Sequence, residues 1–60
     1  MKIRIGMPEW HKDAWLCYEH VESIDVIDGV VAVNYRYTVK GEELKTLNFD
    51  AQEMLFEIRN

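Results

Sequence analysis

The dipeptide Asp28-Gly29, flanked by Ile24-Asp25-Val26-Ile27 and Val30-Val31-Ala32-Val33, limits what this chain can fold into more than any other feature. That dipeptide is favoured at a two-residue hairpin turn, because aspartate and glycine can both take the positive φ of its central positions. The β-branched residues on either side favour extended backbone. A hairpin follows, with Ile27 facing Val30, Val26 facing Val31, Ile24 facing Val33, Glu22 facing Tyr35 and His20 facing Tyr37. In that register Ile24 and Val26 share one apolar face with Val31, Val33, Tyr35 and Tyr37, while Ser23, Asp25, Asn34 and Arg36 take the other. A slip of one residue would turn the valines outward.

The flanking segments extend this hairpin. A three-residue loop at Lys40-Gly41-Glu42 would set Leu47 opposite Tyr35 and Phe49 opposite Val33, adding two large side chains to the apolar face. Lys2 to Ile5 alternates polar and apolar as a short edge strand does, and Gly6-Met7-Pro8 ends it. Residues 8–21 read as a loop or single turn through Asp13 followed by a strand from Trp15. A helix is the rival there, because Trp10, Ala14, Cys17 or Tyr18, and Val21 recur at helical spacing.

For residues 50–59 the signals point to a short helix. Asp50 with Glu53 makes a capping pair, Phe49 and Met54 stand at the hydrophobic-staple positions, and Ala51, Met54, Leu55 and Ile58 follow a helical stripe. Met54, Phe56 and Ile58 also alternate as a strand would. The expected fold is α+β: an antiparallel meander of three to four strands with a short C-terminal helix on its apolar face. A small all-β open barrel is the alternative, if residues 54–59 are extended.

Sixty residues make a single small domain that buries only about 60% of the surface its unfolded chain exposes. Yet 48% of the residues are hydrophobic and 12% aromatic, and the single Cys17 has no partner for an intramolecular disulfide. Association with another copy or a larger protein is the simplest way to cover the remaining apolar surface. The net charge of −4 and the acids of residues 41–60, five against Lys45 and Arg59, repel a phosphate backbone. No apolar stretch is long enough for a signal-peptide core or a membrane span, so the expected location is cytoplasmic. Length alone suggests a bacterial or phage source.

No motif points to catalysis or to a cofactor. Zinc needs four preorganised ligands, and only Cys17 and His20 stand near a useful interval, with His11 apart. On a strand their odd separation turns them to opposite faces. Nothing basic lies beside Cys17 to activate its thiol, and Glu19 and Glu22 oppose a thiolate. The remaining acids suit solvated faces, turns and caps, Asp28 and Asp50 among them. Gly6, Gly29 and Gly41 are too far apart for a phosphate loop.

The aromatic residues carry the functional reading. Tyr35 and Tyr37 are expected inside, and Trp10, in a polar loop, is the exposed anchor. Trp10, Trp15, Tyr18 and Arg36 form the candidate interface, of the residue types enriched at the energetic centres of protein complexes. The preferred function is a small acidic protein-interaction module, homo-oligomeric or docked on a larger protein as a regulator or inhibitor. A single-stranded nucleic-acid-binding sheet using Tyr35, Arg36 and Tyr37 is the alternative.

Overall fold

A computed structural model describes residues 1–37 and 43–60. The chain forms β1 (Lys2–Gly6), a 3-10 turn (Lys12–Ala14), β2 (Leu16–Tyr18), β3 (Val21–Ile27), β4 (Val30–Arg36), β5 (Leu44–Asp50) and β6 (Leu55–Arg59). These strands make two three-stranded antiparallel sheets, ordered β2-β1-β6 and β3-β4-β5. The expected α+β meander with a C-terminal helix is therefore corrected to an all-β fold, in the class of the alternative with residues 54–59 extended.

The capping signals at Asp50 are real but local. Asp50 Oδ1 accepts the Gln52 N–H at 2.8 Å, and its carbonyl accepts the Met54 N–H at 3.1 Å, closing one turn. The chain then extends, because Leu55 to Arg59 pairs along β1 from Gly6 back to Lys2. So short a helix has little stability of its own. As a strand, the same residues complete a sheet and bring Phe56 to 5.5 Å from Phe49.

That pairing also moves β1 from the expected edge to the centre of its sheet, and it explains why Ile3 and Ile5 are 0% and 2% exposed. They pack against Val21, Val31 and Val33 of the other sheet. Each such side chain contributes about 1.5–3 kcal/mol of burial energy. Residues 8–21 form the turn and strand foreseen for them, with no helix beyond the single 3-10 turn.

Asp28 and Gly29 have φ of 52° and 77°, as a two-residue turn requires. Pairing holds as expected from Ile27–Val30 to Ser23–Asn34, and then a bulge at Glu22 places Val21 opposite Tyr35. This corrects the expected Glu22–Tyr35 and His20–Tyr37 pairs. Its physical basis is plain: the extra residue turns Val21 inward, 6% exposed, and frees Glu22 to meet Arg36 at 2.7 Å. The bulge also marks the corner where the chain passes between sheets. Val21 N–H bonds the Met1 carbonyl at 3.1 Å, and Arg36 N–H bonds that of His20 at 2.8 Å.

The β4–β5 register differs from expectation by two residues. Leu47 lies opposite Val33 and Phe49 opposite Val31. Both keep the predicted face, and the shift sets them beside the two most buried valines of β4. The loop predicted at Lys40-Gly41-Glu42 lies outside the described residues.

Candidate functional site

The inner face of β4 outruns the opposite sheet. Val31 and Val33 are covered, Tyr35 is half-buried, and Tyr37 is 63% exposed, correcting its expected place inside. Beside this uncovered end the β2–β3 corner brings up Cys17, Tyr18, Glu19 and His20. With Tyr35, Arg36 and Tyr37 they line a cleft of about 380 Å³. Tyr18 and Tyr35 touch, their ring centroids 4.8 Å apart at 59°. Burial, and secondly the Tyr35 phenol, pushes Tyr18 above the ordinary tyrosine range.

Two cations attend this cleft. Arg36 Nε donates to Glu22 Oε1 at 2.7 Å, so the guanidinium is anchored on its own sheet. Lys45 Nζ lies 4.3 Å from the Tyr37 ring centroid, within cation–π distance. Lys45 had no place in the expected site. The alternation that puts Leu47 and Phe49 inward puts Lys45 on the same face, and this is the signal that could have found it.

Trp15 sits elsewhere, on the outer face of the β2-β1-β6 sheet. Its indole lies over Gly6, with Lys12 Nζ at 5.6 Å and the Arg4 guanidinium at 6.0 Å from its ring. Lys12 Nζ donates to Glu57 Oε1 at 2.6 Å, and Arg4 Nη2 donates to the Lys12 carbonyl at 2.8 Å. Trp15 Nε1 is buried without a hydrogen-bond partner among the described residues. Trp10 is 39% exposed in the turn before the 3-10 segment, its N–H bonded to the Met7 carbonyl at 3.0 Å. The four sequence-derived candidates thus fall apart: Tyr18 and Arg36 share the cleft, and Trp10 and Trp15 do not line it.

The tip of the β3–β4 hairpin also exposes apolar side chains, the cross-strand pair Ile27 and Val30 on the outer face, 69% and 45% exposed, and Val26 on the inner face, 60% exposed. Sequence reasoning placed Val26 in the core. Its side chain has the predicted parity, but β3 is an edge strand there and the opposite sheet does not reach it.

Among the described residues no cluster of three or more histidine, cysteine or acidic side chains could hold a metal ion, and no helix is long and apolar enough to cross a membrane. The fold and surface define a class only: a small two-sheet β protein with an aromatic cleft at one end and an apolar hairpin tip. Comparison with known proteins adds no family, since no family model, no curated protein and no solved structure matches this chain.

Proposed function

We propose that this protein is a small protein-interaction module that works by forming a complex, with copies of itself or with a larger protein that it regulates or inhibits. One observation carries this reading. Among the described residues five hydrophobic side chains are buried, whereas ten large ones are exposed, including the cross-strand pair Ile27 and Val30. Single exposed apolar residues are ordinary, but ten on so small a surface favour a partner. Sedimentation and affinity capture with wild type, Ile27→Lys and Trp10→Ala test the proposal. The expected result is a complex formed by wild type and lost with Ile27→Lys. A wild-type protein that sediments as a monomer and captures nothing would overturn it.

The aromatic cleft favours a second reading, single-stranded nucleic acid. Tyr18, Tyr35 and Tyr37 offer ring faces for base stacking, and Arg36 and Lys45 offer charge. Glu19 lines the same cleft and Glu22 occupies Arg36, so the local field is mixed and the net charge is −4. Retention on single-stranded DNA at low salt, reversed by added salt and lost with Tyr37→Ala, would support this reading over the first.

A further inference from the structure

The aromatic cleft offers more to a cation than to a phosphate. A tyrosine ring presents a negative face, and Tyr18, Tyr35 and Tyr37 all line this one space. Tyr18 and Tyr35 are tilted by 59° and not stacked face to face. One cation already uses such a face, since Lys45 Nζ stands 4.3 Å from the Tyr37 centroid.

The charges around the cleft point the same way. Arg36 is already paired with Glu22 at 2.7 Å. Glu19 lines the cleft and makes no ion pair among the described residues. Glu43, whose carbonyl accepts the Tyr37 N–H at 2.9 Å, brings a further acid to this end of the sheet. With histidine counted as neutral, Glu19, Glu22 and Glu43 stand against Arg36 and Lys45, a balance of −1 within a molecule of −4.

We propose that the cleft binds an arginine side chain of a partner protein. This rests on the protein-interaction reading and names the chemistry of its partner. A guanidinium is planar, weakly hydrated and a donor only, so tyrosine faces and the Glu19 carboxylate meet both of its needs. The volume of about 380 Å³ suits one long side chain and part of the segment that carries it. An anion in the same place would face Glu19 while Arg36 is engaged elsewhere. Lys45 separates the two cases by sign. Its ammonium repels an incoming guanidinium and competes for Tyr37, so removing it strengthens the binding of a cation and weakens that of an anion.

Titration of the full chain with an end-blocked tri-arginine peptide, followed by NMR of the tyrosine ring signals, tests the site. In wild type the Tyr35 and Tyr37 signals are expected to move to saturation. Tyr37→Leu keeps every charge and should raise the dissociation constant about two- to fivefold. Glu19→Lys should raise it at least about fivefold, and Lys45→Met should lower it about twofold. Tyr37 and Glu19 are exposed, so these variants should keep the native circular dichroism spectrum. Wild-type signals that the peptide leaves unmoved overturn the proposal. Binding indifferent to Tyr37→Leu and Lys45→Met also overturns it, since that is diffuse attraction to an acidic surface. Oligothymidylate that moves the same signals, and binds more weakly to Lys45→Met, overturns it in favour of nucleic acid. A captured complex lost with Ile27→Lys but kept by Tyr37→Leu and Glu19→Lys overturns this site and leaves the interaction reading standing. A wild type that captures nothing and ignores the peptide removes both.

Discussion

The indole of Trp15 occupies the space where Gly6 would carry a side chain: a β-carbon built on Gly6 falls into contact with Cδ1, Cγ and Nε1 of that ring. Glycine at position 6 does more than end β1. It lets an aromatic ring lie flat on the outer face of a three-stranded sheet.

Gly6→Ala should therefore destabilise the protein by about 1–3 kcal/mol through overpacking. In a Trp15→Ala background the same substitution should cost much less, since the obstacle is gone. Urea unfolding of the four proteins measures the coupling. Equal costs in both backgrounds would show that Trp15 does not press on Gly6.

Gly29 offers the opposite case: a β-carbon there would meet no atom within 4 Å, but φ stands at +77°. Gly29→Ala should cost about 1–2 kcal/mol from backbone strain alone. The Gly29→Asn variant should recover part of that loss, because asparagine tolerates the left-handed region. Thermal unfolding of both variants checks the order.

Ile3 and Ile58 are cross-strand partners with different surroundings, 0% and 47% exposed. Ile3→Val should cost about 1 kcal/mol, a fall in Tm of about 4–8 °C for a domain of this size. Ile58→Val should stay within about 0.5 kcal/mol of wild type. Similar losses at the two positions would contradict the placement of the core between the sheets.

The Lys12 ammonium, by its hydrogen bond and then by its charge, holds the Glu57 carboxyl below the ordinary glutamate range, with Arg4 and Arg59 assisting and partial desolvation opposing. A depressed folded pKa means that the stabilisation is complete above the unfolded value near about 4.3 and is lost as pH falls through the lower folded one. The loss should be small, since the pair is solvent-screened, and smaller still at high salt. A carboxyl NMR titration should show the Glu57 midpoint rising in Lys12→Met. An unchanged midpoint would remove Lys12 as the cause.

Local chemistry was legible in the residues alone where neighbours in sequence are neighbours in space. Asp28-Gly29 and the valines beside it specified the hairpin, its turn and most of its register, because positive φ and side-chain alternation are properties of a few adjacent residues. Residue types enriched at interfaces pointed to Trp10, Trp15, Tyr18 and Arg36, but not to the cleft that only Tyr18 and Arg36 share. Asp50 with Glu53 specified a capped turn and nothing beyond it. Whether Leu55 to Arg59 coils or extends depends on β1, some fifty residues earlier in the chain, offering it a strand edge. The same long-range pairing decided that Ile3 and Ile5 lie at the centre. The bulge at Glu22, which exchanges a carboxylate for Val21 in the core, has no local signature, because its benefit exists only once the second sheet is packed against the first.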